Sequence, residues 1–373
     1  VTSTLPRVNA GHRLDDLRAA LGDVDVPAVL VTDLMNVRYL CGFSGSAGRL
    51  LVLPDEAVLV TDGRYGDQAA EEIAAVDAPV RVLVGRTQAQ QREHLAELTS
   101  SVKRLGVEGA ALTVAEHVGF AGAFAAELVV TNGLVERLRT RKDDAEIARI
   151  EHAAAIADAA LAEVVHRLGD GIDERTIAAE LDFAMRRGGA DGASFETIVA
   201  AGPNSAFPHH RPNGRRIVEG DLVIIDFGAL VDGYHSDMTR TFTVGEPSPQ
   251  AARLYAAVAE AENAGLAAIA PGVRGEVVHD VCRDVLARHG LADHFLHGTG
   301  HGVGLRIHES PWLTPSSTDV IEAGNVVTCE PGVYLVGIGG VRIEDAVVVT
   351  DHGCRPVTRS PKDQPCLPSP RTT

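Results

Sequence analysis

Five side chains in the second half of the sequence, four carboxylates and one imidazole, have the types needed to hold divalent metal. They are Asp226 and Asp237 in D-F-G-A-L-V-D-G-Y-H-S-D, His301 in H-G-T-G-H-G-V-G-L-R-I-H-E-S-P, Glu330 in T-C-E-P-G-V-Y and Glu344 in G-V-R-I-E-D. Such a set suits a pair of hard or borderline ions, and two-metal sites mostly carry out hydrolysis. Any one of these acids alone would be an ordinary surface charge; the four with His301, in this order, are not.

Hydrophobic period and turn chemistry outline the elements that must position them. Leu222 to Leu230 and Tyr234 to Val244 read as strands joined around Asp232-Gly233, a type I′ hairpin signal. With that turn, Asp226 faces Thr239, and Asp237 sits one diagonal step away on the same face, at roughly 7–8 Å. The run L-V-I-I before Asp226 is a buried-strand pattern, where an unpaired charge is very costly. Glycines at 298, 300, 302 and 304 let backbone pack closely around His301, with His297 and His308 nearby. Glu330 follows a strand from Val326 to Cys329 that Pro331-Gly332 stops. Glu344 lies in a strand from Val341 to Val349, with Arg342 on the same face, able to orient or neutralise a carboxylate.

A chain of 373 residues predicts two domains. Short strand candidates at 27–32, 50–53, 57–61, 80–84, 104–107 and 128–130 alternate with helical stretches, which reads as a small α/β domain of mixed sheet. A charged segment, Arg137 to Asp144, then leads into an Ala-rich helix running to about Leu168 whose apolar positions share one face. The expected divisions are 1–134, 135–360 and a tail over 361–373. The second part carries a weak internal repeat, in which Gly171-Ile172 and Gly272-Val273 each precede a helix and then hairpin signals. Two helix–helix–hairpin copies would bring two sheets together with helices outside.

The net charge of −17 argues against nucleic acid or an anionic membrane surface as partner. Five cysteines without a C-x-x-C pair predict reduced thiols. No basic-then-apolar leader opens the sequence, and no apolar run approaches the ~18 residues that span a bilayer. The expectation is a soluble, cytoplasmic protein.

The motifs D-F-G-x-L-x-x-G-Y-x-S-D-M-T-R-T-F, H-G-T-G-H-G-V-G-L-x-I-H-E, E-P-G-V-Y and R-I-E-D resemble those of the pita-bread metallopeptidases. That family includes aminopeptidase P, Xaa-Pro dipeptidase (prolidase) and, more distantly, methionyl aminopeptidase. N-V-R-Y-L-C-G-F-S-G-S-A-G and T-D-G-R-Y resemble the creatinase-like N-terminal domain of the proline-directed members. The resemblance implies a ribonuclease-H-like α/β first domain and an α+β catalytic domain, a curved sheet with two helix pairs outside related by a pseudo-twofold repeat.

It also implies roles. Asp226 would chelate one metal, His301 and Glu330 the second, and Asp237 and Glu344 would bridge both. Manganese is the implied ion, with cobalt or zinc as alternatives. His308 would stabilise the tetrahedral intermediate, and Glu330 would shuttle a proton to the leaving nitrogen. His209, rather than His210, aligns with the substrate-side histidine of S-A-F-P-H-H-R-P. His297 and Arg342 are pocket residues on this reading, although His297 could equally brace the glycine turn. Phe207 is expected in the core, with the proline pocket as the alternative. The implied activity is removal of an N-terminal residue before proline from small peptides, as by aminopeptidase P, with the dipeptidase as runner-up and a homodimer as the assembly.

Overall fold

Strands of four or five residues alternate with short helices through the first unit, Pro6–Arg139, of the computed structural model, which describes residues 5–363 and 366–367. The order begins α1 (Arg13–Gly22), β1 (Ala28–Val31), α2 (Leu34–Cys41), β2 (Gly48–Val52), β3 (Ala57–Thr61) and α3 (Gly66–Ala75). It continues with β4 (Arg81–Val84), α4 (Gln88–Leu98), β5 (Arg104–Glu108), α5 (Val114–Ala121), β6 (Glu127–Thr131) and α6 (Leu134–Thr140). The strands form one sheet in the order β4-β3-β2-β1-β5-β6. Pairing is antiparallel at β1–β2 and β2–β3 and parallel elsewhere, the mixed sheet that the strand pattern predicts. Helices α1 and α2 are additions to the elements expected from sequence. Their short apolar stretches reveal little of a helical period, and α2 is set by its ends, where Asp33 accepts the Met35 amide and Gly42 turns left-handed at φ 78°.

The second unit, from Thr140 onward, opens with α7 (Asp144–Val164). Asp143 and Glu146 cap its first turn reciprocally, and the helix tightens into a 3-10 turn over Val165–Asp170. It is followed by α8 (Glu174–Arg187), β7 (Gly192–Ala193), β8 (Ile198–Ala201), β9 (Leu222–Phe227), β10 (Ala229–Val231), β11 (Tyr234–His235) and β12 (Met238–Val244). Next come α9 (Pro249–Ala268), α10 (Gly275–Arg288), β13 (Gly300–Gly302), β14 (Glu309–Leu313) and β15 (Val326–Cys329). The unit closes with β16 (Gly332–Leu335), β17 (Gly339–Arg342), β18 (Asp345–Thr350), β19 (Gly353–Pro356) and β20 (Cys366–Leu367).

Of the unit's four sheets the two larger are ordered β20-β12-β9-β8 and β14-β13-β15-β18-β19; β11-β10-β7 and β16-β17 form the smaller two. Ile156, Leu161, Ile177 and Leu181 of α7 and α8 share a core with Val199, Val223 and Ile225 of the first sheet. Leu254, Val258, Val278 and Val285 of α9 and α10 share another with Val327, Val347 and Val349 of the second. Each helix pair thus buries one sheet's apolar face, which leaves the polar residues of the strands to meet elsewhere.

Three expected strands are interrupted, and the interruptions matter. The run from Leu222 breaks at Gly228, where a Cβ would collide with the Ser236 carbonyl. The run from Tyr234 breaks at Ser236–Asp237. The run from Val341 breaks at Ile343–Glu344, because β17 pairs with β16 while β18 pairs with β15. Between these breaks the hairpin register holds: Asp226 faces Thr239, and the turn at Asp232-Gly233 has φ 48° and 78°.

Of the expected tail, 361–363 and 366–367 are described. Lys362 Nζ bonds Glu262 and Asp345 at 2.6 and 2.5 Å, and β20 pairs in parallel with β12. Residues 364–365 and 368–373 lie outside the described residues. All five cysteines are free. No helix among the described residues is long and apolar enough to cross a membrane.

Candidate metal centre and active-site cavity

The strand breaks deliver the acids. Asp226 lies at the end of β9 and Asp237 sits in the gap before β12; Glu344 sits in the gap between β17 and β18. His301 is the middle of β13, and Glu330 follows β15 directly. A residue at a break can turn its side chain where a continuous pleat would forbid it. All five line one cavity of about 270 Å³, together with His209, His297, His308 and Arg342. Ligand atoms of Asp237, His301 and Glu344 lie within 4.8 Å of one another. His301 Nε2 is 3.3 Å from Glu330 Oε1 and 3.6 Å from Asp237 Oδ2.

The electrostatics are those of a cation site. Burial, then the charges of Glu344, Asp226 and Glu330, pushes Asp237 well above the usual carboxylate range. Glu344 is raised well above it too, by burial and then by Glu330 and Asp226. Asp226 is raised by burial in spite of Arg342 beside it. Glu330 goes the other way: burial opposes its ionisation, but the His301 hydrogen bond and charge outweigh that and hold it at about 2. Burial alone would lower His301, and its bond to Glu330 raises it instead.

The fit to metal can be tested on these side chains. Asp226 Oδ1 and Glu344 Oε1 are buried oxygens with no hydrogen-bond partner. An orphaned buried acceptor is costly, and two at one cluster of mutually repelling acids are explained by a positive ion between them. The donor set, four carboxylates and an imidazole, fits hard or borderline divalent cations.

A second layer orients the acids. Arg342 Nη2 donates to Asp226 Oδ2 at 2.6 Å and Nε to Thr239 Oγ1 at 3.1 Å, while Thr239 Oγ1 donates to Glu344 Oε2 at 2.7 Å. Arg342 therefore grips Asp226 directly and reaches Glu344, its expected neighbour by strand period, only through Thr239. Its Nη1 donates to the Tyr334 hydroxyl at 2.7 Å, and that hydroxyl meets His297 Nε2 at 2.8 Å. His297 Nδ1 bonds Gly298 O at 2.8 Å. Both nitrogens of His297 are thus engaged within the protein, in keeping with the brace, and its ring lines the cavity. Thr328 Oγ1 joins the two halves of the second sheet's contribution, accepting the His301 amide and donating to Glu330 Oε1. Tyr334 and Thr328 were not among the residues expected from sequence, although both lie within two to four residues of Glu330, where strand period could have flagged them.

The other expected residues separate cleanly. His209 lines the cavity, whereas His210 Nε2 pairs with buried Glu174 at 2.8 Å. His308 stacks edge-on against His301 with centroids 4.3 Å apart. Burial and then His301 lower its pKa, so the ring is neutral at pH 7. Phe207 corrects the expectation twice over: it is 54% exposed, so not core, and it does not line the cavity. It follows a 3-10 turn, Gly202–Ala206, whose exit turns it to solvent. The apolar wall is made instead by Phe195, Ile198, Ile307 and Trp312.

This fold and this cluster define a metallopeptidase. The chain belongs to metallopeptidase family M24, whose model matches residues 148–351, and residues 13–141 match the Creatinase/Prolidase N-terminal domain. Among its relatives is "Uncharacterized peptidase YqhT" of Bacillus subtilis (strain 168), 41% identical over 94% of this chain and 99% of that one. The solved structure of the Xaa-Pro dipeptidase from Bacillus anthracis superposes with a TM-score of 0.93 at 38% identity, covering 96% of this chain and 100% of that one. The X-Pro aminopeptidase of Thermotoga maritima MSB8 superposes at 0.85 with 31% identity, covering 94% and 99%.

Proposed function

We propose that this chain is a two-metal Xaa-Pro peptidase that removes the residue preceding proline from the N-terminus of short peptides. The observation that carries the chemistry is the convergence of five ligand-type side chains on one cavity with two buried carboxylate oxygens unpartnered. Asp226, Asp237, His301, Glu330 and Glu344 are the residues that would hold the ions, with Mn²⁺ ahead of Co²⁺ or Zn²⁺. Such ions make a bound water nucleophilic near neutral pH and polarise the scissile carbonyl. Glu330, ionised across the neutral range, accepts the attacking water's proton and passes it to the departing proline nitrogen. Neutral His308 has one ring N–H to offer the oxyanion as it forms. His209 faces the substrate, and His297 and Arg342 shape its pocket.

The proline preference is taken from the relatives, and the cavity is compatible with it. An Xaa-Pro bond has no N–H, so its recognition depends on shape against apolar wall rather than on an amide acceptor. Arg342, the single Arg or Lys among the described lining residues, is held by Asp226 and Tyr334 and is common to the aminopeptidase and dipeptidase readings. The second reading, a dipeptidase, is favoured by the likeness to the Xaa-Pro dipeptidase of Bacillus anthracis. A cytoplasmic homodimer, a ribonuclease-H-like first unit and a pseudo-twofold relation between the two helix pairs belong to the same proposal.

Turnover of Ala-Pro, Ala-Pro-Ala and longer peptides with added manganese tests it. Cleavage of the longer peptides after residue one is expected. Activity confined to Ala-Pro makes the enzyme a dipeptidase, and equal turnover of Ala-Ala-Ala removes the proline-directed reading altogether.

A further inference from the structure

The charged segment ahead of α7 plays no part in the chemistry above, yet one of its side chains runs deep into the second unit. The Lys142 side chain is 1% exposed, and its Nζ donates at 2.8 Å to Oε1 of Glu309, itself 8% exposed. Glu309 opens β14 and directly follows His308. Its Oε2 accepts the Arg306 amide at 3.4 Å, so both carboxylate oxygens are engaged across the loop 303–308. That loop wraps tightly on the pair: a Cβ on Gly304 would collide with Glu309 Oε1 and come within 3.0 Å of Lys142 Cε. The loop leaves β13, which carries His301, and Gly302 pairs with Glu309 at its base. The His235 amide also donates to Gly304 O at 2.9 Å. Lys142 is itself fixed, its amide donating to Gly324 O at 2.8 Å and its Nζ also to Thr140 O at 3.3 Å.

A buried ion pair adds little stability, since desolvating both charges offsets most of their attraction. What this one supplies is direction. We propose that Lys142 and Glu309 are positioning residues for His308: by clamping the loop 303–308 they hold the imidazole edge-on to His301, with its free edge toward the cavity. The inference rests on His308 being the oxyanion donor, since a misplaced donor loses its effect on the transition state while substrate and metal still bind.

The test uses Lys142→Met/Glu309→Gln, which removes both charges together and leaves neither buried alone, in the manganese-loaded full chain. The kcat for Ala-Pro-Ala is expected to fall about tenfold or more, with KM within about twofold and metal content unchanged. In a His308→Ala background the same pair change is expected to alter kcat less than about twofold, because the residue it positions is gone. Undiminished kcat in the pair variant, or a pair effect that multiplies in full onto that of His308→Ala, overturns the proposal. A His308→Ala enzyme with wild-type kcat overturns the oxyanion reading itself, and the positioning role with it. If the pair variant does not fold, Glu309→Asp, which keeps both charges but shortens the reach, carries the same measurements, and the same results support or overturn the proposal.

Discussion

Asp237 shows what the cluster does to a single residue. Burial and three neighbouring carboxylates disfavour its charge, so in the metal-free fold it is a liability that the ion converts into a ligand. A carboxyl raised in the fold binds its proton more tightly there than in the unfolded chain. Its contribution to metal-free stability is therefore fully present at low pH and is lost as pH climbs through the folded value. Asp237→Asn should then lose metal and more than nine-tenths of activity, a barrier increase above about 1.4 kcal/mol, while the metal-free variant melts no lower than the metal-free wild type at pH 7.5. Metal analysis beside calorimetry checks both halves. A variant that keeps its metal, or that melts well below wild type without it, contradicts this account.

At the scale of elements, the segment after β19 joins α9 to β18 through buried charge. Glu262 of α9 is 1% exposed and bonded by Lys362, while its Oε2 has no partner. Burial and then Asp345 raise it from 4.5 to about 7. Folding gains from its proton below pH 4.5, and that gain of about 3 kcal/mol disappears between pH 4.5 and 7. Glu262→Gln cannot lose a proton. Its stability relative to wild type should therefore rise by up to about 3 kcal/mol from pH 5 to pH 8, read from denaturant melts of the metal-loaded protein. Parallel pH curves for the two proteins would show that Glu262 is already ionised at pH 5.

Across the second unit, the ligands come from both sheets: Asp226 and Asp237 from the end of β9 and the approach to β12, His301, Glu330 and Glu344 from β13, the end of β15 and the approach to β18. Metal then crosslinks two layers whose apolar cores are separate. Manganese at about a thousand times its dissociation constant should add about 4 kcal/mol to stability. For a unit of this size that is a rise in Tm on the order of 10 °C. Chelation should reverse the rise and abolish hydrolysis. A melting temperature indifferent to manganese and chelator would place the ions elsewhere.

What the sequence by itself determined is local: which residues have the chemistry of ligands, that Asp226 faces Thr239, and which short runs of the first unit are strands. These follow from residue chemistry, the two-residue period of a strand and the φ preferences of Asp-Gly, all of which act over a few residues. The tertiary structure alone decided where strands break. Val341 to Val349 reads as one continuous strand, and only the competing partners β16 and β15 divide it at Glu344. The same holds for neighbours distant along the chain. Phe207 turned to solvent and Lys142 meeting Glu309 leave no trace in any window of sequence. Each depends on how two sheets and their helices pack, and packing is settled by the whole chain at once.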